Sequence, residues 1–168
     1  MSQFETFPIH VKLAAEPEAI SIDYDSVVGV NSAGLDLDIQ KSGEEFYCQG
    51  NARASVRLTC ARCLEEFDFE LTNSTDFIVC SQEWHKSHRG IKDNEDYVFF
   101  QGGELQADLT DVLRQAVIIS ISLKPLCRED CRGLCPSCGA NRNEESCQCQ
   151  VKKTDERWEA LRKLSGLT

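Results

Sequence analysis

From the N-terminus to about Cys80, apolar and polar residues alternate in short segments. Pro8 to Leu13 (P-I-H-V-K-L) alternates, and Leu35 to Ile39 (L-D-L-D-I) does so strictly. Glu45 to Cys48, Ala54 to Thr59 and Glu66 to Leu71 (E-F-D-F-E-L) continue the series. A period of two sends successive side chains to opposite faces, so these segments predict antiparallel strands with one face on a core. Ser42-Gly43 and Gly50-Asn51 are the predicted turns between them. Ser81 to Asp96 is polar and without period, which predicts a long surface loop before a last strand, Tyr97 to Phe100. Beyond Gly102-Gly103 the period changes. Leu105, Leu109, Val112, Leu113, Ala116 and Val117 fall at three- and four-residue intervals, predicting an amphipathic helix from Leu105 to about Ser120. Glu104, Asp108 and Asp111 suit the positive end of its dipole, and Pro125 bars it from running further. Thr154 to Leu164 predicts a closing helix with Trp158, Leu161 and Leu164 facing inward.

At 168 residues the chain is long enough to bury its own core without disulfides. No apolar run approaches the roughly 18 residues of a membrane helix. The N-terminus, MSQFETFPIH, lacks the basic start and apolar segment of a signal peptide, so a reducing, cytoplasmic setting is expected. Disulfides are then the weaker explanation for the ten cysteines. The formal net charge of -10 is regional. Residues 1–123 carry 9 basic and 21 acidic side chains, whereas residues 124–168 carry 9 and 7. An acidic body disfavours bulk attraction to nucleic acid and favours a basic partner, while the tail could touch a phosphate backbone.

The strongest chemical signal is the cysteine pattern. Six cysteines lie between Cys127 and Cys149, spaced C-x3-C-x3-C-x2-C-x8-C-x-C. Cys135-Pro136-Ser137-Cys138-Gly139 has the form of a zinc knuckle: two thiolates two residues apart can grip one ion, and Gly139 lets the backbone turn beneath it. Cys147 and Cys149 could supply the other pair, closing a tetrahedral, structural site. Upstream, Cys60-Ala61-Arg62-Cys63 is a second C-x2-C. It could be a redox pair, two buried thiols or half a metal site. A strand precedes it and Glu65 and Glu66 follow it, which disfavours the lowered thiol pKa that redox chemistry needs. Cys60, Cys63, Cys127 and Cys131 would make a second set of four, stapling sheet to tail; a single site drawing on another four of the eight stays open. One or two structural zinc ions are therefore expected. Cys48 and Cys80 read as small buried hydrophobes. His85 and His88, spaced H-x2-H in a charged loop, read as exposed surface histidines. No paired acid and base, phosphate loop or nucleophile elbow is present, so no catalytic residue is assigned.

The expected fold class is α+β: an antiparallel, barrel-like or open sheet with a packed amphipathic helix, a cysteine-rich zinc-knuckle segment and a C-terminal helix. Residues 1–123 would form the acidic sheet-plus-helix body and residues 124–168 the cysteine-rich segment and closing helix, in one cooperative unit.

Leu58-Thr59-Cys60-Ala61-Arg62-Cys63-Leu64, the Asp108-Leu109 helix start, Pro125 to Asn141 (P-L-C-R-E-D-C-R-G-L-C-P-S-C-G-A-N) and Cys147-Gln148-Cys149 together resemble the YceD family, the large ribosomal RNA subunit accumulation proteins. The resemblance runs from about Ala54 to Leu164. It implies a bacterial or organellar factor needed for normal accumulation of large-subunit (23S) ribosomal RNA, with no established catalytic activity and no small-molecule substrate. Expected partners are a large-subunit ribosomal protein, precursor ribosomal RNA, or both. Arg128, Arg132, Arg142, Lys152 and Lys153 could hold an RNA backbone, or could balance the charge of zinc-thiolate centres. The rival reading is a zinc-thiolate redox sensor or holdase chaperone, in which oxidation expels the ion and exposes apolar surface.

Overall fold

The computed structural model describes residues 7–88, 97–100 and 106–149. Five strands lie side by side in chain order: β1 (Ile9–Ala15), β2 (Val27–Ser42), β3 (Glu45–Thr59), β4 (Glu66–Ser81) and β5 (Tyr97–Phe100). Helix α1 (Gln82–His88) separates β4 from β5, and helix α2 (Thr110–Ser120) follows. The first four strands pair antiparallel, but β5 runs parallel to β4, with Ile78 opposite Tyr97. The sheet is therefore mixed. It is also open: β1 and β5 form its two edges, so the barrel-like alternative is not realised.

Alternation dictates the layering. Leu35 and Leu37 of β2, Ala52, Ala54, Val56 and Leu58 of β3, and Leu71, Phe77 and Val79 of β4 share one buried face. Helix α2 lays Leu113, Ala116 and Val117 onto that face. Leu37, Val56, Leu58 and Val117 are fully buried, each contributing about 1.5–3 kcal/mol. On the opposite face Asp36 lies within ion-pair distance of His10, Lys12 and Arg53, and Asp68 pairs with Arg57.

Several elements differ from the sequence reading, each for a physical reason. The segments at 45–48 and 54–59 are one strand, because Gly50 is no turn. A Cβ there would lie 1.9 Å from the Asp36 carbonyl oxygen, so glycine admits the close approach of β2. The real hairpin turn is Gly43-Glu44, with Gly43 at φ +63 between the paired Ser42 and Glu45. Helix α2 begins later than Leu105 because the Asp108 carboxylate accepts the Thr110 N–H at 2.9 Å and holds residues 106–109 out of the helix. The predicted surface loop contains α1, and His85 is buried at 6% exposure, not exposed as predicted. Its ring packs 4.5 Å from Tyr97 and 5.1 Å from Phe99, a pairing that period and charge in the loop do not signal. The side chain of His88 and the predicted closing helix, Thr154 to Leu164, lie outside the described residues. No helix among the described residues is long and apolar enough to cross a membrane.

Candidate metal centres

Two groups of four thiols form in the fold. Cys60, Cys63, Cys127 and Cys131 have all four sulfurs within 4.8 Å of one another, and so do Cys135, Cys138, Cys147 and Cys149. These are the two sets of four that the spacing left as one option among several. All ten cysteines are free thiols. In the first set Cys60 Sγ lies 3.8 Å from Cys131 Sγ, and Cys63 Sγ lies 3.6 Å from Cys127 Sγ. A disulfide would bring sulfurs to about 2.05 Å. A tetrahedron of zinc–sulfur bonds of about 2.3 Å has edges of about 3.8 Å. The observed spacing is that of a tetrahedral edge, so the first set fits a divalent, thiophilic ion.

Local backbone geometry builds both sets from the same unit. Strand β3 ends at Thr59, and Cys60 to Cys63 form the turn into β4. The Cys60 N–H donates to the Glu65 carbonyl at 2.9 Å, and the Leu64 N–H donates back to the Cys60 carbonyl at 3.0 Å. The second knuckle repeats this: the Cys135 N–H donates to the Ala140 carbonyl at 2.8 Å, and the Gly139 N–H to the Cys135 carbonyl at 2.9 Å. In both, the residue after the second cysteine is left-handed, Leu64 at φ 63 and Gly139 at φ 76. Turning there aims two sulfurs and several N–H groups at one point. Leu64 occupies a conformation that favours glycine, and sequence reasoning missed it because leucine carries no turn signal.

The tail reaches the first knuckle through named contacts. The Ala61 N–H donates to the Pro125 carbonyl at 2.8 Å, and the Leu134 N–H to the Arg62 carbonyl at 3.0 Å. Arg62 Nη1 donates to the Cys131 carbonyl at 2.8 Å. Gly133, at φ +67, lies so close that a Cβ would stand 2.8 Å from the Arg62 carbonyl oxygen. Leu134 bridges to Asn141, forming the base of the second knuckle. Apolar packing here is slight: Cys60, Cys63 and Cys131 are buried against Phe67, Leu126 and Cys127.

The thiols do not titrate alike. Burial raises Cys60, but backbone N–H groups of Cys63, Cys127 and Arg62 outweigh it and bring its pKa to about 6. Burial also opposes ionisation of Cys131, yet the Asn143 side chain and the Gly133 N–H lower it. Burial, then the neighbouring thiols, push Cys127 to about 12, and burial raises Cys63. In the second set the N–H groups of Cys138 and Ser137 bring Cys135 to about 6, while the Cys138 sulfur and burial push Cys149 to about 12. Each set therefore holds a mixture of thiolate and thiol whose remaining protons a divalent cation would displace.

A family model described as "Large ribosomal RNA subunit accumulation protein YceD" matches residues 48–165, a span holding all eight clustered cysteines. The chain belongs to the YceD family. An uncharacterised protein of Mycobacterium tuberculosis is 26% identical over 149 residues, 89% of this chain and 67% of that protein. A "Large ribosomal RNA subunit accumulation protein YCED homolog 1, chloroplastic" of Arabidopsis thaliana is 31% identical over 72 residues, 43% of this chain and 22% of the plant protein. Its Zea mays counterpart is 34% identical over 61 residues, 36% of this chain and 21% of its own. No solved structure matches the chain.

The remaining predicted residues fall as follows in this YceD-family fold. Cys48 and Cys80 are buried in the sheet, as expected. Arg128, Arg132 and Arg142 are exposed around the sulfur sets, with Arg128 Nε 3.5 Å from Asp130. Lys152 and Lys153 lie outside the described residues. Asn143, which accepts the Arg132 N–H at 2.8 Å and donates to Cys131 Sγ at 3.3 Å, escaped the sequence reading because asparagine is not a zinc ligand type.

Proposed function

We propose that the protein is a non-catalytic assembly factor that supports accumulation of large-subunit ribosomal RNA by holding a basic large-subunit ribosomal protein, with two structural zinc ions shaping its tail. The observation that carries the reading is the closure of both sulfur sets. Four thiolates fill a tetrahedral shell and leave no position for water or substrate, so the ions would fix shape and not perform chemistry. Structural zinc is worth roughly 10 to 16 kcal/mol of apparent binding energy, enough to order a tail with so little apolar packing. The names of the plant relatives support the link to the large ribosomal subunit.

Charge favours a protein partner over RNA. A divalent ion with four thiolates carries a formal charge of about -2, so two filled sets would take the chain from -10 to about -14. Within residues 122–149, Lys124, Arg128, Arg132 and Arg142 are already balanced by Glu129, Asp130, Glu144 and Glu145. Along the solvent face of β4, by contrast, Glu66, Glu70 and Asp76 are exposed, with Asp68 between them paired to Arg57, and β5 flanks that strand only from Ile78 onward. This acidic strip suits a lysine-rich partner awaiting its RNA. Contacts from Arg132 and Arg142 to precursor RNA would be secondary.

Depletion of the protein is expected to lower large-subunit relative to small-subunit ribosomal RNA, and affinity capture at graded salt should retain a basic large-subunit protein. Unchanged RNA ratios together with capture of neither a large-subunit protein nor precursor RNA would remove the proposal. The exposure of Cys138 and Cys149 gives the redox-sensor reading its one specific support. That reading requires peroxide at low micromolar level to expel the ion from the second set in the folded protein.

A further inference from the structure

We infer that Asn143 couples the two sulfur sets, so that an ion in either one strengthens the hold on an ion in the other. The inference rests on the zinc reading above. By chain position Asn143 belongs to the second set, lying between the knuckle at Cys135–Cys138 and the closing pair Cys147 and Cys149. Its side chain also reaches the first. Asn143 Nδ2 donates to Cys131 Sγ at 3.3 Å, while its Oδ1 accepts the Arg132 N–H at 2.8 Å. Only this amide orientation sets a donor against the sulfur and an acceptor against the backbone N–H, so the network fixes it.

Asn143 is itself held by the second knuckle. Its N–H and its Nδ2 donate to Asn141 Oδ1 at 3.1 and 2.9 Å, and Asn141 bridges to Leu134, the residue before Cys135. From the other side, Arg62 sits inside the first knuckle, accepts the Leu134 N–H through its carbonyl and reaches the Cys131 carbonyl with Nη1. An N–H aimed at Cys131 stabilises negative charge on that sulfur and so its grip on a cation. That donor is positioned only while the loop from Cys135 to Cys149 is closed, and closing the loop is what the second set does. Linkage makes the effect reciprocal. Asn143 is thus a positioning residue for a centre to which its own segment contributes no ligand.

The test uses the full chain, stripped and titrated with zinc against a competing chelator, with stoichiometry read by native mass spectrometry and sheet content by circular dichroism. The wild type should take up two ions. Asn143→Asp keeps the acceptor for Arg132 and all eight thiols but removes the N–H; it should weaken zinc at the first set roughly ten- to a hundred-fold. Cys138→Ser/Cys149→Ser, which dismantles the second set, should weaken the first set by a similar factor, and the two changes combined should do no more than either alone. In the cobalt form, the sulfur-to-metal absorption of the first set should shift in Asn143→Asp, a change that mere loosening of the fold would not produce. First-set affinity equal to wild type in both variants, or losses that multiply when combined, would overturn the coupling while leaving two zinc ions in place. A wild-type chain that takes up no zinc would instead overturn the underlying metal reading.

Discussion

Gly133→Ala should undock the tail from the first knuckle while sparing the sheet, and Gly139→Ala supplies its control. Gly133 sits at φ +67, where an L side chain costs about 1–2 kcal/mol. Its new Cβ would also stand 2.8 Å from the Arg62 carbonyl oxygen and 3.3 Å from the carbonyl carbon, backbone atoms that can yield only by moving apart. Moving them breaks the 3.0 Å bond from the Leu134 N–H to the Arg62 carbonyl, worth about 0.5–1.5 kcal/mol. The total is about 1.5–3.5 kcal/mol, or about 10- to 400-fold in the docking equilibrium. Gly139 has the same left-handed conformation, φ +76, but nothing within 4 Å of a Cβ. Gly139→Ala should therefore cost only the strain, about 1–2 kcal/mol. Hydrogen exchange reads the difference: amides of Leu134 and Arg142 should lose more protection in Gly133→Ala than in Gly139→Ala, with β2 and β3 unchanged in both. Equal losses in the two variants, or loss spread evenly through the sheet, would refute the claim that close backbone contact at Arg62 docks the tail.

Further outcomes follow from the sheet and the first knuckle. Gly50→Ala places a Cβ 1.9 Å from the Asp36 carbonyl oxygen and should cost about 3 kcal/mol or more by urea unfolding, whereas Gly29→Ala, with open space around it, should leave the midpoint nearly unchanged. Burial raises the Cys48 pKa from 9.0 to about 11, so this thiol should resist alkylation of the folded protein at pH 8, when exposed Cys138 of the stripped protein reacts. Because the folded value is the higher one, the stability from burying the neutral Cys48 thiol is complete below pH 9.0 and declines as pH rises toward about 11; Cys48→Ala should flatten unfolding free energy across that window. Leu64→Gly relieves the left-handed strain at φ 63 and should leave thermal stability unchanged or higher by up to about 1 kcal/mol; a clear loss would mean that Leu64 packs in a way its 64% exposure does not suggest.

Alternation along the chain made β1, part of β2 and the start of β4 legible, because each buries one face. It failed where a strand crosses a glycine for reasons of packing: Gly50 looks like a turn in the sequence, and only the neighbouring Asp36 backbone shows why a straight strand needs it. The parallel pairing of β5 was illegible because four residues, Tyr97–Phe100, carry no signal of direction. His85 reads as a surface residue among charges, yet its partners Tyr97 and Phe99 lie beyond residues 89–96, and no local pattern joins them. For the candidate site the sequence went further. C-x2-C spacing marked Cys135–Cys138 as a knuckle, since two thiols and a tight turn are a local arrangement, but left Cys60–Cys63 open between a redox pair, buried thiols and half a metal site. Which pairs combine is a tertiary matter, decided by Ala61, Arg62, Gly133 and Leu134 drawing Cys127 and Cys131 onto the β3–β4 turn. Asn143 was invisible for a related reason: its role is a donor to another residue's sulfur, which spacing between cysteines does not encode.

The most direct test of the metal account is the zinc content of the intact chain purified under reducing conditions, read with the reactivity of its thiols before and after chelation. The account predicts two zinc ions per chain, eight cysteines shielded from thiol reagents until the metal is removed, and Cys48 and Cys80 buried throughout. A folded, metal-free chain with Cys127 to Cys149 equally protected with and without chelator would contradict it.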